Sequence, residues 1–150
     1  MHIESAEQDH QNKELRTLLY VEDNPANLML VEQILNTHPQ VKMLSASDAK
    51  IGIALARAHF PDVILMDINL PGISGIEALK ILREDPAMMY IPVIALSANA
   101  MPSEIMKGLD AGLFSYLTKP IKINELMLAL DEAFEFSKMS VIDINEPGKI

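Results

Sequence analysis

The chain contains no cysteine, which excludes a disulfide framework and a thiolate metal site. No apolar run approaches the length of a membrane span. Residues 1–14 are too polar and acidic for a signal peptide, and the four histidines are scattered without metal-ligand spacing. With 150 residues, 49% of them hydrophobic, we expect one cytoplasmic globular domain that buries a core of its own.

Basic residues are also few. Lys and Arg number 12 against 21 Asp and Glu, which gives a net charge of -9. A general nucleic-acid-binding surface needs clustered Lys and Arg, so we expect no direct contact with nucleic acid and none with a membrane. Acidity alone indicates only solubility, and the functional argument therefore depends on where the acids lie.

The chain divides into a leader, a patterned domain and a tail. Residues 1–14 lack periodicity and predict a flexible leader or linker. From residue 15 to residue 136, short runs of Val, Ile and Leu alternate with stretches of helical period, a pattern typical of βαβ units. Residues 137–150 are predicted to form a frayed C-terminal tail. The predicted strands are 17–22, 41–46, 62–66, 93–97 and 114–117, with the second nearest an edge.

Capping residues mark the predicted helix starts. Asn24 stands before a proline at the first helical position, and Ser74 opens a capping box with Glu77. A helix is also predicted over residues 101–111. Ser47 is predicted to cap a helix whose apolar residues are Ile51, Ala54, Leu55 and Ala58. The last helix carries an apolar stripe of Ile123, Leu126, Met127, Leu130 and Phe134. Five strands alternating with five helices predict a doubly wound open parallel sheet.

Charged and reactive side chains end four of the five predicted strands. Glu22 and Asp23 follow the first strand, Asp67 the third, Ser97 the fourth and Lys119 the fifth. Because ligands bind beyond the carboxyl ends of parallel strands, we expect these side chains to meet at one edge. Three close carboxylates repel one another unless a hard divalent cation such as Mg²⁺ lies between them.

Together these groups indicate phosphoryl transfer. A carboxylate nucleophile, a metal, a lysine and a hydroxyl are the parts that this reaction needs, because its catalysis is mainly positioning and charge neutralisation. Taken singly, Glu22 and Asp23 are equally a loop before a cap, Asp67 a turn residue and Lys119 a surface lysine. Their joint placement favours the functional interpretation.

At these positions the sequence resembles the receiver domain of two-component response regulators. The matching segments are LLYVEDNP at 18–25, ILMDINLPG at 64–72, IALSANA at 94–100 and YLTKP at 116–120. The resemblance covers residues 15–136 and in style is closest to receivers of hybrid sensor histidine kinases. It implies a flavodoxin-like sheet with strand order 2-1-3-4-5.

The resemblance also implies roles. Asp67 matches the phosphoacceptor. Glu22 and Asp23 match the acidic pair that holds Mg²⁺ or Mn²⁺ together with Asp67, and Asn69 matches the position whose backbone carbonyl completes the metal site. Lys119 matches the invariant lysine of the family.

Three further positions match residues with conformational roles. Ser97 matches the hydroxyl residue that turns toward the phosphoryl group, and Tyr116 matches the aromatic switch residue that moves with it. Pro120 matches a proline that often follows a cis peptide bond. Ser74 departs from the family pattern, which commonly has Asp or Asn there, and Leu113 stands where a small residue is usual.

The implied function is that of a phosphoacceptor in two-component signalling or a phosphorelay. A histidine kinase or histidine phosphotransfer protein would donate the phosphoryl group, and the chain would catalyse only its own phosphorylation and dephosphorylation. A weak homodimer through the last two helices and strand five stays open. Two alternatives remain open. One is an aspartyl-phosphate phosphatase, although Asn69 occupies the position at which such enzymes place a second acid. The other is an interaction module whose site is silent.

Overall fold

The computed structural model describes residues 15–145, so the predicted leader and residues 146–150 of the predicted tail lie outside the described part. The strands are β1 (Arg16–Val21), β2 (Val41–Ala46), β3 (Val63–Asp67), β4 (Val93–Ser97) and β5 (Ser115–Thr118). The helices are α1 (Pro25–Leu35), α2 (Ala49–His59), α3 (Gly75–Glu84), α4 (Pro102–Asp110) and α5 (Ile123–Asn145).

All strand pairs are parallel, and the order in the sheet is β2-β1-β3-β4-β5. The predicted doubly wound sheet is confirmed, including the edge position of β2. Each predicted strand boundary lies within one residue of the observed one. All five side chains of β3 and of β4 are buried, because helices cover both faces of these central strands.

Alternating side chains of the strands supply two separate cores. One core joins Leu19, Val21, Ile64 and Met66 to α2 and α3. The other joins Leu18, Tyr20, Val63 and Leu65 to α1 and α5. Because successive strand residues point to opposite faces, this division also decides on which face each side chain at the strand ends lies.

Helix α2 differs from the sequence expectation. Its cap is Asp48, whose Oδ1 accepts a hydrogen bond from the Ile51 amide at 2.8 Å, and not the predicted Ser47. Its buried residues are Ala49, Gly52, Ile53 and Ala56. Ile51 is exposed because small residues line the buried face, where Gly52 lies so close to Val21 that an added Cβ would stand 2.8 Å from a Val21 methyl.

Helix α5 is longer than expected. It continues to Asn145, so the prediction of a frayed segment from Ser137 is wrong for residues 137–145. Leu126, Leu130 and Phe134 of the predicted stripe are buried, whereas Ile123 is 56% exposed. The caps at Asn24 and Ser74 are confirmed, because each side chain accepts a hydrogen bond from its own helix. In the described part of the chain, no helix is long and apolar enough to cross a membrane.

Candidate phosphoacceptor and metal site

Three carboxylates meet at the carboxyl edge of the sheet. Glu22 and Asp23 follow β1, and Asp67 is the last residue of the neighbouring strand β3. Each of the three offers an oxygen within 4.8 Å of the others. Glu22 and Asp67 are buried, and Asp23 is exposed. The cluster therefore has two oriented carboxylates at its base and one that faces solvent.

Lys119 forms ion pairs with the two buried carboxylates. Its Nζ lies 2.8 Å from Asp67 Oδ2 and 3.5 Å from Glu22 Oε1. Burial acts to lower the pKa of Lys119, but the hydrogen bond and charge of Asp67, followed by those of Glu22, outweigh it and raise the pKa. The lysine thus stays charged and partly compensates the repulsion between the acids.

The two buried carboxyls differ in how readily they ionise. Burial and then the neighbouring Asp67 raise the pKa of Glu22. Burial also acts to raise the pKa of Asp67, but hydrogen bonds with Lys119, Glu22 and the Asn69 backbone amide outweigh it and lower that pKa. The surroundings of Asp67 therefore favour its carboxylate form more than those of Glu22 favour the Glu22 carboxylate, and the carboxylate is the form that attacks phosphorus.

The oxygens of Asp67 have separate partners. Oδ2 accepts from Lys119, and Oδ1 accepts from the Asn69 backbone N–H at 2.8 Å. The loop after Asp67 is held by α3, because Gly75 donates its backbone N–H to the Ile68 carbonyl at 3.0 Å. A Cβ on Gly75 would stand 2.8 Å from Ile68 Cα, so this close approach requires glycine. The carboxylate is thereby fixed in one orientation.

Two residues that the sequence analysis missed hold Glu22. The Tyr20 hydroxyl donates to Glu22 Oε1 at 2.9 Å, and Asn27 Nδ2 donates to the same oxygen at 3.2 Å. Tyr20 precedes Glu22 by two residues, so both side chains lie on one face of the strand. The two-residue spacing could therefore have predicted from the sequence that Tyr20 lies beside Glu22. Asn27 could not be predicted in this way, because it reaches the site only through the packing of α1.

Ser97 and Tyr116 lie apart from the carboxylates. Both belong to the sheet face of α2 and α3, whereas Asp67 and Tyr20 belong to the opposite face. Ser97 Oγ accepts from the Asn99 backbone N–H at 3.0 Å, and the Tyr116 hydroxyl donates to the Asn99 carbonyl at 2.9 Å. Within residues 15–145, neither makes a hydrogen bond to the acidic cluster.

The remaining predicted positions are also located. Asn69 is exposed beside Asp67, and the Lys119–Pro120 peptide bond is cis, the geometry that the resemblance implied. The structure thus brings together Glu22, Asp23, Asp67 and Lys119. The donor set is all oxygen and includes two buried carboxylates, which fits a hard divalent cation such as Mg²⁺.

Fold and site together define a doubly wound α/β protein with an acidic cluster, able to hold a metal ion, at the ends of its strands. Residues 18–131 match the family model described as the response regulator receiver domain. The polar-differentiation response regulator DivK of Brucella ovis is 36% identical over 110 residues, which cover 72% of this chain and 87% of that protein.

Solved structures of receiver domains and response regulators are similar to this chain in fold and sequence. The receiver domain of the sensor histidine kinase PA1611 from Pseudomonas aeruginosa, with a magnesium ion coordinated in its active site cleft, is 32% identical with a TM-score of 0.73, covering 80% of this chain and 98% of that one. The Mn²⁺-bound form of the response regulator Rcp1 is 26% identical with a TM-score of 0.67, covering 81% and 94%. The chain belongs to the response regulator receiver domain family and is a receiver domain of a two-component system.

Proposed function

We propose that Asp67 accepts a phosphoryl group from a phosphohistidine of a histidine kinase or histidine phosphotransfer protein. The observation that supports this most directly is the position of Asp67, which is buried at the end of β3 and accepts a hydrogen bond from Lys119 Nζ at 2.8 Å. A carboxylate oxygen of Asp67 attacks phosphorus as the bond from phosphorus to the imidazole nitrogen breaks. The nitrogen keeps the electron pair, and the product is an acyl phosphate.

The neighbouring side chains have separate roles in this step. Glu22, Asp23 and Asp67, together with the Asn69 carbonyl, would hold Mg²⁺ or Mn²⁺, and such an ion would neutralise charge on the phosphoryl oxygens. Lys119 is close enough to Asp67 to donate to a phosphoryl oxygen on that carboxylate. Tyr20 and Asn27 keep Glu22 in its metal-facing orientation.

Phosphorylation then shifts the loop that contains Asn99. Ser97 leaves the Asn99 amide to donate its hydroxyl to the phosphoryl group, and Tyr116 changes its position with it. This works as a switch only because the phosphoryl group interacts differently with the two arrangements of the loop. The Asn99 bonds of Ser97 and Tyr116 are the contacts that the switch exchanges.

This chain offers the donor protein an exposed apolar surface near Asp67. Met29 and Leu30 on α1 and Ile123 at the start of α5 are 58%, 36% and 56% exposed, and both helices begin at the rim that carries Asp67. A weak homodimer through α4, β5 and α5 remains a prediction, supported by Met106 at 58% exposure and tested by sedimentation at several protein concentrations.

We place the domain in the cytoplasm, where it contacts neither nucleic acid nor a membrane.

The test is mass spectrometry of the intact chain after incubation with acetyl phosphate and Mg²⁺. We expect one added phosphoryl group on the wild type, none on Asp67→Asn and one on Asp110→Asn, which removes an exposed carboxylate far along α4. Equal labelling of Asp67→Asn would overturn the assignment.

Each of the two rival functions predicts a different result. An Asp phosphatase would turn over a small phosphate ester such as p-nitrophenyl phosphate continuously, whereas we expect the chain to act only on its own phosphoryl group. A silent interaction module would add no phosphoryl group with any donor.

A further inference from the structure

A second concave site lies at the end of the sheet opposite Asp67. It is a groove of about 260 Å³ between the loop before β4, the loop before β5 and helix α5. Its principal lining residues are Arg83, Met89, Tyr90, Leu113, Phe114 and Phe136. None of these residues takes part in the site at Asp67.

Aromatic side chains form one wall of the groove. The rings of Phe114 and Phe136 have their centroids 5.2 Å apart and their planes inclined by 50°. Tyr90 and Phe136 are 54% and 43% exposed. Apolar surface of this kind, gathered around a concavity, is the usual environment for the apolar body of a ligand.

Among the described residues that line the groove, Arg83 alone is charged. Its guanidinium donates to the carbonyls of Met89 at 3.0 Å, Ile91 at 2.8 Å and Gly112 at 3.0 and 3.3 Å. Of the five guanidinium N–H groups, these bonds leave one on Nη2. Among the ion pairs between described residues, none includes Arg83.

A half-buried cation held only by carbonyl dipoles keeps an uncompensated positive charge. Burial lowers the pKa of the Arg83 guanidinium from its usual range, which shows that the group has lost part of its hydration. An anion placed at Nη2 would add a charge-assisted hydrogen bond to a guanidinium that forms no ion pair among the described residues.

We propose that this groove binds a small amphiphilic carboxylate, with its carboxylate at Arg83 Nη2 and its apolar body against Tyr90, Phe114 and Phe136. The volume lies just below the roughly 300–1,000 Å³ of drug-sized ligand sites, which suits a ligand with one aromatic ring and a short acidic chain.

The experiment titrates the full chain with trans-cinnamate and follows backbone amides by ¹H–¹⁵N correlation spectra. We expect saturable shifts at Met89, Gly112 and Leu113. Cinnamamide has the same size and shape as cinnamate but carries no charge. We therefore expect it to bind about tenfold more weakly than cinnamate.

Two matched variants locate the site. Tyr90→Glu adds a negative charge at the rim of the groove without touching the Arg83 hydrogen bonds, and we expect it to weaken cinnamate about tenfold. Phe60→Glu makes the same change at an aromatic residue that is 57% exposed and outside the groove, and we expect binding to stay unchanged. Asp67→Asn also leaves it unchanged, so failure here is separate from failure of the phosphoacceptor assignment.

Three results would overturn the proposal. Equal affinity for cinnamate and cinnamamide would show that Arg83 does not select an anion. Equal weakening by Tyr90→Glu and Phe60→Glu would place binding elsewhere. No saturable shift up to roughly 10 mM cinnamate, a concentration that detects even very weak binding, would mean that the groove takes no ligand of this class.

Discussion

The Tyr116 hydroxyl donates a hydrogen bond to the Asn99 carbonyl at 2.9 Å, across the gap between β5 and the loop that follows β4. Asn99 also donates its amide to Ser97 Oγ. One loop residue is therefore the shared partner of two side chains that the sequence analysis had linked only by family resemblance. The loop is held from both sides without any contact to the carboxylates.

Tyr116→Phe removes one of these two contacts. We expect the free energy of unfolding to fall by about 0.5–1 kcal/mol, since the bond is neutral and partly solvated, and we expect faster amide exchange at Met101, whose N–H bonds to the Asn99 side chain. Urea unfolding and hydrogen exchange measure the two effects. Tyr90→Phe is the control, and an equal change in that variant would argue against a specific role for the Asn99 bond.

Tyr20→Phe tests the buried support of Glu22. Burial, followed by the charge of Glu22, raises the pKa of Tyr20 well above the usual tyrosine range. The stability gained from this hydroxyl is therefore complete below the unfolded-state pKa of about 10 and is lost as the pH rises above it. In metal-free buffer we expect Tyr20→Phe to unfold more easily at neutral pH, by about 2 kcal/mol.

The alkaline titration of that variant provides a second measurement. The difference in tyrosinate absorbance between wild type and Tyr20→Phe should stay at zero until the wild type unfolds. A difference that develops in the folded protein near pH 10 would contradict the buried hydrogen bond.

Asp23→Asn separates metal binding from folding. Asp23 is exposed and adds negative charge to the cluster, so its loss should leave metal-free stability unchanged or slightly higher. In the wild type, Mg²⁺ at ten times its Kd should add about 1.4 kcal/mol to the free energy of unfolding, and in Asp23→Asn this gain should largely disappear. Thermal unfolding with and without Mg²⁺ measures it, with Asp110→Asn as the control that retains the full gain.

Lys119→Met tests the competition between lysine and metal. Lys119 already compensates Asp67 and Glu22 in the metal-free protein, so its removal leaves two buried carboxylates with less compensation. We expect lower stability without metal, by about 2 kcal/mol, and Mg²⁺ binding that is several-fold tighter. Calorimetric titration with Mg²⁺ measures the affinity. Lys119→Arg keeps the charge and should behave like the wild type; weaker Mg²⁺ binding in Lys119→Met would refute this account.

The sheet and the convergence of Glu22, Asp23, Asp67 and Lys119 could be predicted because they depend on local patterns. Apolar runs mark the strands, and parallel strands deliver their last residues to one edge. Helix α2 was harder, because Ser47 and Asp48 are adjacent and both are good caps. The buried residues of α2 are mostly small ones, Ala49, Gly52 and Ala56 beside Ile53, so the largest apolar side chains of this helix do not mark its buried face.

Other features depend on packing that no local pattern contains. Asn27 reaches Glu22 because of where α1 lies on the sheet, and the Arg83 side chain donates hydrogen bonds to carbonyls from two different loops.

The end of α5 is a different case. Residues 137–145 contain neither proline nor glycine, and Pro147 was the first residue able to stop the helix, so a longer helix was predictable from the sequence.

The length of α5 has a mechanical consequence. Its 23 residues span about 34 Å at 1.5 Å per residue, starting three residues after the cis peptide bond at Pro120. One continuous helix therefore runs about 34 Å from the rim that carries Lys119. A small tilt of its first turn would displace its last turn by a larger distance, because displacement grows with distance from the pivot.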